Sequence, residues 1–261
     1  MIAHHSGFFM RYAVVSDIHE DILSLKQAFR QIDKLKVDKV ACLGDISGFS
    51  VPFYSHLETR DAHACLELLS QNCEIIIPGN HDLHIAGRIP QYSPEFKYPA
   101  DWYEMNYHQR KEISLELLWL YEENELNPLY TEEDLIYLKE LNEVHTFSFD
   151  TRSIMLSHYA YPNLLGMSRA FYLNHMDFRQ HFSFMKEQKV NLSIIGHMHP
   201  KGLFYVDKTE VFDFGFKKRP LPDGPVTIVA PSITNGGKSN GFLILDFLQK
   251  EMEAHKISTK K

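Results

Sequence analysis

The chain reads as an α/β protein, a four-layer α/β/β/α sandwich of two mixed sheets. Two observations predict it. Short apolar, β-branched-rich runs at 12–15, 40–43, 74–77, 154–156 and 192–195 have the length of buried strands, and helical spacing separates the first of them. Each run also ends in residues of metal-ligand type: Asp17-Ile18-His19, Gly44-Asp45, Gly79-Asn80-His81-Asp82, Ser157-His158 and Gly196-His197-Met198-His199. In an open α/β sheet the ligand site lies beyond the carboxyl ends of the strands, so these ends can deliver their groups to one place.

After the first strand, Ile22, Leu25, Ala28, Phe29 and Ile32 recur at helical spacing, and the second strand starts at Val40. Ala62, Cys65, Leu68 and Leu69 mark the next helix, before the strand that ends near Ile77. Two right-handed crossovers make these three strands parallel neighbours with their ligand-bearing ends on one edge. Residues 84–142 form a helical and aromatic excursion. Pro90, Pro94 and Pro99 punctuate a stretch carrying Tyr92, Phe96, Tyr98, Trp102, Tyr103 and Tyr107, read as a core under a long loop in preference to a substrate wall. Ile113, Leu117, Leu120 and Tyr121 predict one face of a helix; a turn follows at Asn127-Pro128, and Thr131 and Asp134 suit a variant capping box.

Strands at 146–149 and 153–156 flank Asp150-Thr151-Arg152, the mark of a hairpin. A helix with Phe178, Phe182 and Met185 on one face precedes the strand ending at Gly196. Runs at 203–206, 211–214, 226–229, 242–245 and 252–257 read as further short strands, and a second sheet, mostly antiparallel, completes the sandwich. One domain is expected over 1–261, with a folded core over 11–257 and frayed ends that include His4 and His5.

At 261 residues and 44% hydrophobic content the chain can bury one large core. Its formal charge of -7, with Glu122, Glu123, Glu125, Glu132, Glu133 and Asp134 gathered in one stretch, offers no basic track. A broad grip on duplex nucleic acid is therefore not expected, and a nuclease subunit would want a basic track that is not visible, while a small phosphoester or nucleotide held by metals fits. Cys42, Cys65 and Cys73 are odd in number and lack C-x-x-C spacing, which argues for a reducing, cytoplasmic setting. No apolar run is long enough to span a bilayer, and the N-terminus lacks a signal-peptide core. The aromatic excursion is compatible with an oligomer interface.

The strand ends supply the raw material of a two-metal hydrolytic centre. An isolated Asp17 or Asp45 reads first as a helix cap, but Asp17 with His19, and His197 with His199, are pairs that can bind one cation together. Without cations, two aspartates and several histidines crowded at one sheet edge would need other partners for their desolvated charges and donors. With two divalent cations and a bridging hydroxide the balance is roughly +4 - 2 - 1, leaving about +1 to attract phosphate. Asp45 arises between the first pair and the remaining groups, and is the natural carboxylate to bridge two metals.

The ordered set D-x-H, G-D-x-x-G, G-N-H-D, a lone His and G-H-x-H resembles the calcineurin-like metallophosphoesterases, and within them the small prokaryotic phosphodiesterases. The resemblance runs from about Arg11 to the last strands. It implies the metallophosphoesterase fold, with Asp17, His19, Asp45 and His199 on one metal and Asp45, Asn80, His158 and His197 on the other. It also implies that His81 is the catalytic histidine, stabilising the transition state or protonating the leaving oxygen, and that Asp82 orients it. The metals implied are two divalent transition ions, manganese (Mn), Fe, Zn or Ni, with availability deciding among them. The implied reaction is attack of a metal-bridging hydroxide on a phosphodiester, in line with the departing oxygen.

A phosphomonoesterase or nucleotidase with the same centre is the alternative, and a non-catalytic interaction scaffold a more distant one. Met198 stands where the family usually has Thr and is expected to face away from ligation. Ala230-Pro231-Ser232-Ile233 replaces the family's N-P-G-S segment, and Lys238, shortly after it, reads first as a solvated loop residue. His84, three residues beyond His81, is the remaining histidine expected near the cleft.

Overall fold

The computed structural model describes residues 10–93, 95–169, 171–234 and 239–257. Its first crossover is the predicted one: β1 (Arg11–Val15), α1 (Ile22–Leu35) and β2 (Lys39–Cys42). Asp21 caps α1 by accepting the Ser24 amide at 2.9 Å, and Ile22, Leu25, Ala28, Phe29 and Ile32 form its buried stripe. After a short β3 (Phe49–Ser50), α2 (Ala62–Asn72) starts at the Asp61 cap and returns the chain to β4 (Ile75–Ile76). The helices α3 (Asn80–Ile85) and α4 (Tyr107–Ser114), the two-residue β5 (Glu125–Leu126) and α5 (Glu132–Glu140) follow. Then come the hairpin of β6 (Val144–Phe149) and β7 (Arg152–Ser157), the crossover α6 (Arg179–Glu187), and β8 (Leu192–Ile195). The last strands are β9 (Leu203–Val206), β10 (Val211–Gly215), β11 (Arg219–Pro220), β12 (Val226–Val229), β13 (Gly241–Asp246) and β14 (Glu251–Lys256).

Among the described residues these strands form two six-stranded sheets, ordered β11-β14-β13-β1-β2-β4 and β10-β9-β12-β8-β7-β6, and a ribbon of β3 with β5. The period-two alternation of side chains builds the layers. Tyr12, Val14, Ala41 and Leu43 face Ile154, Leu156, Leu192 and Ile194 across the space between the sheets. The alternate residues Ala13, Val15, Val40 and Cys42 pack outward on α1 and α2, while Met155 and Ile195 pack on the Phe178, Phe182 and Met185 face of α6. Helices therefore cover both outer faces, as in the predicted sandwich.

Two expectations need correction. The second sheet is antiparallel in three of its five pairings, as expected, with β7, β8 and β12 parallel where α6 crosses between β7 and β8, but β13 and β14, expected there, return to the first sheet beside β1. The helix predicted through Ile113, Leu117, Leu120 and Tyr121 is displaced. A capping box of Asn106 and Gln109 starts α4 earlier, and Leu115, at φ 46°, ends it. Residues 117–119 then run extended beside 167–169, with the Trp119 amide donating to Met167 O at 3.0 Å and the Arg169 amide to Leu117 O at 2.9 Å. Pairing along that segment satisfies backbone groups that a helix would otherwise have paired.

The excursion's aromatics do form a core of their own: Trp102, Phe96 and Tyr98 pack with Leu83, Leu118 and Met167. Pro94, His4, His5 and Lys238 lie outside the described residues. Among the described residues no helix is long and apolar enough to cross a membrane.

Candidate metal centre

The loops that leave the parallel strands are tied to one another. Asp17 N donates to Gly44 O at 2.9 Å, Ile18 N to Asp45 O at 2.7 Å and Gly196 N to His158 O at 2.8 Å, while Ile233 N reaches Ser16 O at 2.8 Å. Within this frame Asp17, His19, Asp45, His197 and His199 all adopt positive φ, between 47° and 64°. Left-handed backbone at non-glycine residues costs of order 1–3 kcal/mol each and persists where the surroundings impose it. Here it turns the side chains of successive loops toward one point.

Two groups of donors result. In the first, Asp17 Oδ1 lies 3.2 Å from His199 Nε2, and His199 Nε2 lies 3.3 Å from His19 Nε2. In the second, His158 Nε2 lies 3.1 Å from Asp45 Oδ2, 3.1 Å from Asn80 Oδ1 and 3.3 Å from His197 Nδ1. The Asp45 carboxylate also faces His19 Nε2 at 3.9 Å, so it touches both groups. Ligand atoms about 2.0–2.2 Å from a cation stand about 3 to 3.4 Å from one another. The spacing fits.

The outer contacts fit as well. His158 Nδ1 is 2.6 Å from Leu43 O and His19 Nδ1 is 3.0 Å from Gly48 O, so each ring donates its Nδ1 proton to the backbone and turns Nε2 inward toward the other donors. Asn80 gives its Nδ2 protons to the Tyr121 hydroxyl at 2.9 Å, which points Oδ1 at His158 and His197. Acceptors packed this tightly need a cation or a proton between them. Burial opposes ionisation of both aspartates, but the surrounding histidines overcome it and hold Asp17 at about 2 and Asp45 well below the usual carboxylate range. Burial drives His19 and His197 down to about 3, so their rings are neutral; burial also opposes the charge on His158, but Asp45 overcomes it and holds that ring up to about 9.

His81 and Asp82 leave β4 together but part company. The expectation that Asp82 orients the His81 ring is not met: its buried carboxylate accepts from Ile46 N at 3.0 Å, Ser47 N at 2.9 Å, Ser47 Oγ at 2.8 Å and Gly79 N at 2.9 Å. Asp82 therefore ties the Asp45 loop to the Asn80 loop. His81 instead directs Nδ1 to Glu125 Oε1 at 2.7 Å, with Nε2 3.8 Å from Asp45 Oδ2. Gly48, at φ 96°, makes the space for it, since a Cβ there would collide with the imidazole. Burial works against charge on the ring, yet Glu125 and Asp45 outweigh it and hold it protonated up to about 10.

Glu125 and Tyr121 were not among the residues the sequence pattern picks out. Glu125 belongs to a run of acidic residues that reads as solvated charge, and Tyr121 to a supposed helix face. His84 packs its ring on Tyr121 at 4.6 Å, behind the wall of the cleft. Met198 joins neither donor group, but it lines the cavity.

That cavity, about 330 Å³, opens directly over the donors. Phe53, Tyr54, Trp119 and Phe171 form its apolar wall. Tyr54 stacks on His19 and Phe171 on His197, at centroid distances of 4.9 and 5.2 Å. Among the described residues lining it there is no lysine or arginine.

The model of the calcineurin-like phosphoesterases matches residues 10–201. The chain belongs to that family. This calcineurin-like phosphoesterase is accordingly a metal-dependent enzyme that hydrolyses phosphoric esters. It is similar in structure to a metallophosphoesterase from Sphaerobacter thermophilus, with 17% identity and a TM-score of 0.64 over 96% of this chain and 89% of that one. A hypothetical protein from Pyrococcus horikoshii OT3 is similar at 15% identity and a TM-score of 0.58, over 97% and 89%. At such identities the likeness concerns the fold. In sequence, 77 residues are 32% identical to an uncharacterized protein of Methanocaldococcus jannaschii, a match over 29% of this chain and 28% of that protein.

Proposed function

We propose that this phosphoesterase is a phosphodiesterase with a dinuclear centre. Asp17, His19 and His199 would hold one cation, Asn80, His158 and His197 the other, and Asp45 both. Mixed carboxylate, amide and imidazole donors suit Mn, Fe, Zn or Ni. Two such cations supply Lewis acidity toward the phosphoryl oxygens and a hydroxide nucleophile near neutral pH. The chain's own residues do the rest: His81 directs Nε2 to the departing oxygen and gives it a proton, Tyr121 fixes the Asn80 amide, and Asp82 holds the two loops in register. Three free thiols, Cys42, Cys65 and Cys73, support the reading of a reducing, cytoplasmic setting.

The observation that carries the preference for diesters is the cavity wall. A phosphomonoester dianion gains from several cationic side chains around the phosphate; the described lining has no lysine or arginine, and its cationic side chain is His81. A diester carries one charge and a second ester arm, which the aromatic wall of Phe53, Tyr54, Trp119 and Phe171 can cover. With the metal-loaded protein, kcat/KM for an aryl phosphodiester is expected to exceed that for the matching aryl phosphomonoester by at least about tenfold, a difference of about 1.4 kcal/mol. Equal values, or a preference for the monoester, would replace this reading with a phosphomonoesterase or nucleotidase. No hydrolysis above the His81→Ala background would leave an interaction scaffold.

A further inference from the structure

We propose that Glu125 is the positioning residue of His81, so that the excursion between residues 84 and 142 completes the proton-donating apparatus as well as walling the cleft. This rests on the reading of His81 as the acid for the leaving oxygen. Four observations carry it.

The first is the contact itself: Oε1 of Glu125 lies 2.7 Å from Nδ1 of His81, on the far side of the ring from the Nε2 that faces Asp45. One nitrogen thereby sits in ion-pair contact with a carboxylate, short of hydrogen-bond alignment, and the other is aimed into the centre, so that tightening of this contact in the reacting complex would fix the tautomer and direction of the imidazole. The second is that the carboxylate next to His81 in sequence is already committed, since Asp82 accepts from Ile46, Ser47 and Gly79. His81 has to take its partner from elsewhere in the chain.

The third is the way Glu125 is held. β5 pairs with β3 in a register that sets Glu125 opposite Ser50 and Leu126 opposite Phe49, and Val51 N donates to Asn124 O at 3.1 Å just beside it. β3 follows directly from Gly48, the glycine over which the His81 ring lies. The ribbon therefore fixes the distance between the seat of the ring and the carboxylate. The fourth is electrostatic. Glu125 is largely buried, and among the described residues no lysine or arginine makes an ion pair with it, so its charge is directed at the imidazole.

In the reaction, a water-derived hydroxide forms the new bond to phosphorus, the phosphorus–oxygen bond to the departing group breaks, and the Nε2 proton of His81 passes to that oxygen, which leaves as an alcohol. The Nδ1 proton stays on His81, beside the Glu125 carboxylate. The ring is left neutral in its Nδ1-protonated form, and water returns the Nε2 proton.

The test uses the full chain loaded with zinc, in wild type, Glu125→Gln, Glu125→Asp and His81→Ala forms. Aryl phosphodiesters are compared, one with a nitrophenol leaving group and one with phenol. Glu125→Gln is expected to lower kcat for the phenyl ester about 10- to 100-fold, with KM and zinc content unchanged, and to affect the nitrophenyl ester much less because that group departs without a proton. Glu125→Asp, which keeps the charge, should retain more turnover than Glu125→Gln, which keeps the shape; a steric role would give the reverse order. Independently of turnover, nitrogen NMR of the zinc protein should show a protected Nδ1 proton on His81, identified by its loss in His81→Ala, and that signal should vanish in Glu125→Gln. A slow His81→Ala enzyme beside an unimpaired Glu125→Gln, or a His81 signal indifferent to Glu125, overturns the assignment of Glu125 alone. Full turnover in His81→Ala overturns the acid itself, and this role with it.

Discussion

Replacing His81 with alanine is expected to lower kcat about 10²- to 10⁴-fold, or about 3 to 5.5 kcal/mol of transition-state stabilisation, while both metals stay bound. The geometry separates the two effects. His81 lies beside the centre, with Nε2 3.8 Å from the Asp45 carboxylate; it can join His19 and Asp45 around a cation, but Asp17 with His19 and His199, and Asp45 with His158 and His197, close without it. Its backbone amide, which donates to Asp45 Oδ1 at 3.1 Å, survives the substitution. Steady-state kinetics with metal analysis on the same preparation make the comparison. Loss of metal with unchanged activity per loaded site would reject the catalytic role.

Asp45→Asn should act differently, emptying both metal positions and reducing turnover beyond the about 10- to 100-fold typical of outer partners of metal ligands. Asp45 is buried and its Oδ2 faces His19, His81 and His158 at 3.9, 3.8 and 3.1 Å. The amide keeps the volume and an acceptor for the His81 amide, so the loops have no steric reason to move. What disappears is the one charge shared by the two donor groups. Titration of the variant with metal, followed by calorimetry, should show both affinities reduced. Two tightly bound metals in Asp45→Asn would refute the bridging role.

Much of this centre is legible in the sequence, because a strand end converts chain position into spatial position. Once 12–15 and 40–43 are recognised as strands, a parallel crossover brings Asp17 and Asp45 together and their loops lock through backbone hydrogen bonds, while His197, at the end of a strand of the facing sheet, donates its amide to the Asp17 carboxylate. The errors have physical causes too. Asp82 follows His81 directly, but adjacent residues at the start of a helix point in different directions, and its carboxylate meets the amides of a neighbouring loop instead. Glu125 reaches His81 only through the two-residue pairing of β3 with β5, too short to leave a periodic trace. Tyr121 carries apolar spacing suited to a helix, yet the Asn106 cap and the pairing of 117–119 with 167–169 settle that segment differently. The excursion therefore has two parts, an aromatic core that is visible as composition and a pair of polar contacts, Tyr121 to Asn80 and Glu125 to His81, that depend on tertiary packing.

The most direct test of the account is anomalous diffraction from crystals of the manganese- or zinc-loaded protein. Two peaks are expected, one enclosed by Asp17, His19 and His199 and one by Asn80, His158 and His197, each within ligand distance of Asp45 and about 3.5 to 4 Å apart. A single peak, or two peaks that do not both lie within ligand distance of the Asp45 carboxylate, would contradict it.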